Sequence, residues 1–569
     1  MSMQKKLLEE INNISELCSE VDEEENSGSE DSIYDPLDTD SELFDTDNEE
    51  ENIVNTRRGR KRMRLFSSSE DECEENDHNI ETSVDGTVWQ KIHQGSGPGR
   101  SPLHTIFREI SGPTGYAKRN IMKGKVRSAF SLILDQGIMN HIKMCTESEA
   151  RRVLGSEWSI TLEELDAFIA ILYARGAYET RNLNVSYLWN KKWGPAFFSR
   201  TMNRNRFTGI MRFIRFDRRS ERSQRLQTDK FALISKVWNA FIENSQNCYK
   251  PGANITVDEQ LFATKSRCRF TQYMPNKPDK FGIKFWLASD VESKYIVNGF
   301  PYLGKDETRP SAIPLSEFVV LKLTEPFIGC GRNITTDNFF TSTSLATKLL
   351  SKRTTLVGTI RANKRELPKP AKEKKDKMAR FSTQLYKSNN CTLTIYKSKP
   401  NKKVLLLSSK HKYVKIEETG KCIPETIAFY NSTKFGVDMT DQMARKYSTK
   451  SKSNRWPVQV FFNILDLAAI NAWVLYKQTT GERISRQEFL FQLAEELATE
   501  YRDIHEQEKM ESMAETSADS TTISERRKTC QIGYCKKNKT INICSTCKKY
   551  VCGKCLRERP SICKKCDNE

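Results

Sequence analysis

Eight cysteines fall within the last 40 residues of this 569-residue chain. They run Cys530-x4-Cys535-x8-Cys544-x2-Cys547-x4-Cys552-x2-Cys555-x7-Cys563-x2-Cys566, and no other pattern in the chain restricts its fold so tightly. A two-residue spacer lets two thiolates reach one tetrahedral ion, so four close pairs supply two all-cysteine Zn²⁺ sites. None of the six histidines lies beyond residue 505, so the local ligands are cysteines. A segment of this length cannot bury a sufficient apolar core, and the metal is expected to be the main support of residues 527–569. The short gap between the second and third pairs favours a cross-brace. One Zn²⁺ would take Cys530, Cys535, Cys552 and Cys555, and the other Cys544, Cys547, Cys563 and Cys566. Sequential pairing is the alternative. The remaining eight cysteines are scattered, which fits a reducing compartment.

The formal charge of +17 hides a split. Residues 1–80 hold 25 acidic and 8 basic side chains, a net of −17, leaving +34 on residues 81–569. An excess of that size on the folded part points to a polyanionic partner, most often nucleic acid. No apolar run approaches the roughly 18 residues of a membrane span, so no membrane partner is expected. The N-terminus lacks the apolar stretch of a secretory signal.

Residues 1–104 are expected to be disordered. They are rich in Asp, Glu, Ser and Asn and poor in the aromatic side chains that would offset chain entropy. One basic block interrupts them: Arg57, Arg58, Arg60, Lys61, Arg62 and Arg64 read as a nuclear localisation signal. Residues 105–253 carry helical periodicity. Thr161 and Glu164 have capping-box spacing, and residues 202–217 mix four arginines with three phenylalanines. That mixture suits either a nucleic-acid-facing helix or an amphipathic core helix with a basic outer face. From 254 to 363 short β-branched and aromatic runs read as strands, among them NITVDEQLFA, KFGIKFWLASD and NITTDNFF. Residues 364–424 are Lys-rich and look like an insertion. Residues 425–447 resume the core. Residues 448–526 return to helix and linker.

Three acidic contexts stand out. Asp258 and Asp337 each sit at the polar end of an apolar strand, and Asp438 and Asp441 share a helix face at i,i+3 spacing. Converging carboxylates suit a hard divalent ion such as Mg²⁺ or Mn²⁺, which takes oxygen ligands. Two such ions can assist displacement at a phosphodiester. With 74 acidic residues such contexts also arise by chance, as caps, turns or surface groups.

The segments VDEQLFATKSRCRFTQYMPNKPDKFGIKFWLASD, GFPYLGK, TTDNFFTS, YNSTKFGVDMTDQM and SNRWP resemble the piggyBac-type transposases, in order, from about residue 105 to the C-terminus. The resemblance implies a multidomain α/β protein. Its RNase H-like catalytic core would be split by the insertion and flanked by a helical dimerisation and DNA-binding domain. It implies that Asp258, Asp337 and Asp438 bind the catalytic Mg²⁺, with Asp441 as an accessory acid. It also implies cut-and-paste chemistry: nicking at the transposon end, hairpin formation and opening, and strand transfer into TTAA target DNA. The partners would be terminal inverted repeats, target duplex and a second copy of the chain. The C-terminal zinc domain would bind transposon-end DNA. Residues 526–569 carry 13 basic and 3 acidic side chains, which agrees. Trp456 matches a family tryptophan that lies close to the cleaved DNA, or else is a core aromatic. Lys265, Arg267, Lys277, Lys284, Asn338 and Arg455 are further candidate DNA contacts. One departure is Phe435, where many members carry glycine, and it puts the turn before Asp438 in question. The rival readings are a domesticated, catalytically silent DNA or chromatin binder, and a zinc-finger interaction protein.

Overall fold

The computed structural model describes residues 79–95, 106–275, 277, 279–304, 309–373, 378–418, 420–518, 528–532, 535 and 537–556, with backbone alone over 509–518. The basic block at 57–64, Cys563 and Cys566 lie outside these residues.

In chain order the strands of the main body are β1 (Ile80–Thr82), β2 (Val88–Ile92), β3 (Gly112–Pro113), β4 (Tyr249–Lys250), β5 (Asn254–Ala263), β6 (Thr271–Tyr273), β7 (Phe281–Asp290), β8 (Ile296–Pro301), β9 (Asn333–Thr336), β10 (Thr355–Thr359), β11 (Thr383–Ser388), β12 (Cys391–Lys399) and β13 (Lys402–Ser408). Eleven of them form one mixed sheet in the order β1-β2-β11-β12-β13-β10-β9-β5-β7-β6, with β8 also paired to β7. β5 runs parallel to β9 and β9 parallel to β10, while β7, β8 and β13 pair antiparallel around them. The helix Thr343–Ser351 makes the crossover between β9 and β10, its start capped by the Ser342 hydroxyl. β9 and β10 are buried along their whole length. Both are therefore covered on their two faces, as parallel strands require.

Helices between Gly115 and Cys248 and the long helices Trp456–Thr480 and Arg486–Ala518 make the second layer. Trp456–Thr480 is the spine between layers. Its Leu465 carbonyl accepts from the Tyr173 hydroxyl at 2.9 Å, and its Asn471 amide exchanges two hydrogen bonds with Ile296 of β8. By length and composition this helix could cross a membrane, contrary to the expectation that no run comes close. Its apolar window is 94% buried, however, so the run is a core helix wrapped by protein on every side.

Two expectations change. Residues 80–92, expected to be unstructured, form the β1–β2 hairpin. β2 pairs with β11, and Trp89 is fully buried with its indole N–H donating to the Glu366 carbonyl at 2.7 Å. One large aromatic anchors a segment whose composition is otherwise polar. The second change concerns residues 364–424. Their strands β11–β13 extend the sheet from β10, with Val357, Gly358 and Thr359 paired to Ser408, Leu407 and Leu406. The segment lies beyond the strands β5 and β7–β10 and joins their sheet through the β10–β13 hydrogen bonds.

Candidate active site

Strand register brings the first two acids together. Val257 pairs with Thr336 in the parallel β5–β9 ladder, so Asp337, just past the end of β9, comes beside Asp258, which lies midway along β5 and not at its end as expected. Asp337 is fixed by the turn it starts. Its Oδ1 accepts from the Phe339 N–H at 3.0 Å, and its carbonyl accepts from the Thr341 hydroxyl at 2.8 Å. The third acid arrives on the helix Gly436–Lys446. That helix lies so close to β5 that a Cβ at Gly436 would stand 2.6 Å from Thr256 Oγ1, and glycine is the residue that fits. The backbone need falls on Gly436. Phe435 has φ −87° and an exposed ring beneath the Lys434 ammonium at 4.5 Å, so its replacement of glycine leaves the turn unstrained.

The acids feel one another. Burial pushes the Asp258 carboxyl well up, and Glu259, Asp337 and Asp438 push it further. Asp337 is raised to about 6 by burial and by Glu259. Asp438, at the exposed rim, is also raised, chiefly by burial of its surroundings. Two lysines answer them. Burial opposes the charge on Lys277, but Asp258, Glu259, Asp438 and Asp441 outweigh it and hold its pKa up. Burial lowers Lys284, whose ammonium lies 4.0 Å over the Trp286 ring and 3.9 Å from Glu259. A carboxylate group that raises its own members is short of positive charge. A hard cation of the Mg²⁺ class answers that shortage, and the all-oxygen donor set fits it. Among the described residues, however, no three of these carboxylates bring oxygens within 4.8 Å of one another.

The cysteines behave differently. Among the described residues, Cys530, Cys535, Cys552 and Cys555 bring all four sulfurs within 4.8 Å. They stand on the hairpin β14 (Lys528–Thr529) and β15 (Lys539–Thr540) and the turns around it. This unites the first and third close pairs, as a cross-brace would. Cys544 and Cys547 lie between them in sequence.

Other expected residues have mixed fates. Lys265 and Arg267 are exposed, while Lys277 and Lys284 face the acids. Trp456 is half-buried, stacked on Phe231 at 5.6 Å and edge-on to Phe270. Arg455 points inward and donates to the Met211 and Ile214 carbonyls, closing the end of the helix Arg204–Phe213. On that helix Phe207, Ile210 and Phe213 are buried, and Arg206 pairs with Glu164 at 2.6 Å, which is the amphipathic core arrangement. Asn338 accepts from Arg361 at 3.0 Å. Asp441 is held on both oxygens, by Gln260 at 3.0 Å and Arg445 at 2.8 Å. Sequence reasoning passed over Glu259, Gln260, Arg445 and Asn463. Strand period alone puts Gln260 on the face of Asp258.

A mixed sheet carrying an acid cluster where its parallel strands β5 and β9 part, with helices packed against it, defines the class of α/β proteins to which this chain belongs. A family model described as Transposase IS4 matches residues 126–473, well over half of the chain, and the chain is a member of that family, the piggyBac-type transposases. It is 23% identical over 350 residues to human PiggyBac transposable element-derived protein 3, an alignment covering 59% of this chain and 58% of that protein. The same identity over the same length relates it to the human chimeric ERCC6-PGBD3 protein, of which 33% is covered. The chain thus aligns with little more than half the length of the first of these curated relatives. Among solved structures, it is 29% identical to a piggyBac transposase determined by cryo-EM as a synaptic complex with hairpin DNA. That match has a TM-score of 0.66 and covers 80% of this chain and all of the other.

Proposed function

We propose that this protein is a DNA transposase whose carboxylate cluster carries out cut-and-paste phosphoryl transfer. The observation that carries the reading is the cluster itself. Asp258, Asp337 and Asp438 come from three distant segments and gather around Asp258, whose carboxyl is pushed up by burial, by Glu259 and by the other two, while Glu259 pushes up all three. The strand order β8-β7-β5-β9-β10, with its parallel centre, supports an RNase H-like core in which Asp258 and Asp337 stand on neighbouring strands. Those residues would hold Mg²⁺ or Mn²⁺ together with Asp438. When bound, the metal supplies Lewis-acid assistance to a displacement at phosphorus.

The chain's own groups do the rest. Lys277 and Lys284 are placed to offset phosphate charge beside the acids. Lys265 and Arg267 on the exposed rim are placed for backbone contacts to duplex DNA. The substrates on this reading are transposon ends and TTAA target duplex. The acting form is a homodimer, and the nuclear address is the block from Arg57 to Arg64. The tail takes two Zn²⁺ in cross-brace fashion, and the gathered set Cys530, Cys535, Cys552 and Cys555 supports the first site. Its basic charge suits binding of end DNA.

The test is excision of a TTAA-flanked element carrying the cognate ends, with purified protein and Mg²⁺. Scarless excision by the wild type, lost in Asp337→Ala with end binding kept, is the expected result. Binding without any excision by the wild type would leave a silent DNA binder.

A further inference from the structure

We infer that Gln260 and Asp441 form a link that sets the spacing between Asp258 and Asp438, and that Asp441 is a positioning residue and not a metal ligand. The inference rests on the metal reading above and assigns Asp441 a different job from the accessory acid expected of it.

Strand and helix register bring the two residues together. Thr256, Asp258 and Gln260 alternate onto one face of β5. The helix Gly436–Lys446 lies along that face and touches it at two places. At one end Gly436 rests against Thr256. At the other, Gln260 Nε2 donates to Asp441 Oδ1 at 3.0 Å. Arg445 strengthens the second contact, its Nε donating to Asp441 Oδ2 at 2.8 Å and its Nη2 to the Leu261 carbonyl at 3.1 Å. Asp258 and Asp438 fall between the two anchors. The amide of Gln260 has only one workable orientation. A carboxylate only accepts, so the NH₂ must face Asp441, and the remaining oxygen takes the Asn463 N–H at 2.9 Å. Gln260 and Asn463 are both fully buried, and Asn463 Oδ1 is left without a partner. A core that accepts an unpaired oxygen to hold one amide in place is constrained there by more than packing. With a donor on each oxygen, the Asp441 carboxylate is turned toward β5 and Arg445.

Mn²⁺ binding to the full-length, zinc-loaded chain, read by electron paramagnetic resonance without DNA, tests this. Asp441→Asn and Gln260→Glu should each weaken binding by about tenfold or more, as loss of a ligand's supporting partner does. The double variant restores an acceptor at 260 facing a donor at 441, and should recover to within about threefold of wild type by the logic of a mutant cycle. Arg445→Ala gives the sharpest sign. Removing a cation should strengthen Mn²⁺ binding by charge alone, so weakening can come only from lost geometry. This variant and Asp441→Asn carry the test if Gln260→Glu does not fold, as judged by thermal unfolding in EDTA. A double variant as weak as Asp441→Asn would make the Asp441 carboxylate a ligand and overturn the proposal. So would Arg445→Ala with binding unchanged or tightened. If Asp258→Ala binds Mn²⁺ like the wild type, the metal reading itself fails and takes this proposal with it.

Discussion

The acid cluster and the cysteine cluster both gather several ionisable side chains, and they do so in opposite ways. The acids come from residues 258, 337 and 438, mounted on two neighbouring central strands of an eleven-stranded sheet and on a helix docked against it. They need that scaffold because they repel, and they remain apart. The thiols come from a span of 26 residues with a small core of their own, yet their sulfurs close to within 4.8 Å. A rigid body can hold like charges open around a space for substrate. A short segment gains its shape by closing on an ion. The first arrangement suits chemistry, the second architecture.

The largest expected effect breaks the comparison on the acid side. Asp258→Ala should lower excision by about a thousandfold or more, the scale of losing a catalytic group, while the metal-free core unfolds no earlier than wild type. An earlier unfolding would show that the acid supports the fold. The converse holds for the tail. Stripping zinc, or Cys552→Ser, should unfold residues 527–569 and weaken end-DNA binding by about tenfold, with the core melting transition unmoved. Calorimetry and a binding titration read both.

A third prediction uses an acid that has nothing to do with metal. Asp466 sits in the long core helix, 5% exposed, and accepts from Ser448 Oγ and from the Thr449 N–H and hydroxyl. Burial raises its pKa to about 7 against those hydrogen bonds. The folded state therefore keeps a proton there that the unfolded chain has already released. Stability should fall as pH rises from about 4 to about 7 and level off above, by on the order of 2–4 kcal/mol. Asp466→Asn should flatten that slope in denaturant titrations across the range. The smallest effect concerns charge alone. Deleting residues 1–78, which leaves the β1–β2 hairpin whole, removes a net −17 and should tighten DNA binding severalfold at low salt, with the gain fading at high salt. No change at low salt would reduce the arm to a carrier of its basic block.

Spacing made close cysteine pairs readable and favoured the cross-brace grouping over the sequential one, and the structure gathers Cys530, Cys535, Cys552 and Cys555. Asp258, Asp337 and Asp438 were readable only through context, a polar end on an apolar strand, sharpened by family resemblance. What sequence could not convey was direction. Arg455 reads as a charge ready for DNA, and only the fold shows it donating to the Met211 and Ile214 carbonyls. The arginines of residues 202–217 show the same, with Arg206 and Arg215 paired to Glu164 and Glu149. The β1–β2 hairpin was hidden because its one fully buried side chain, Trp89, sits among seven polar neighbours. After residue 380 the runs CTLTIYKS and KKVLLLSS read as strands, but β11 did not, and neither did the pairing of β13 to β10.

The Trp89 hairpin has a consequence for how the chain is made. Its indole bonds to a carbonyl 277 residues further on, and its neighbouring strand β11 begins only at Thr383. On a ribosome adding about 5–20 residues per second, β2 emerges long before its partner. The segment must wait, edge unpaired, until most of the sheet has been synthesised, and such long-range pairing is slow to form. The hairpin is thus a late closure, and the nascent chain passes through a stage at which an open strand and a bare tryptophan await their partners.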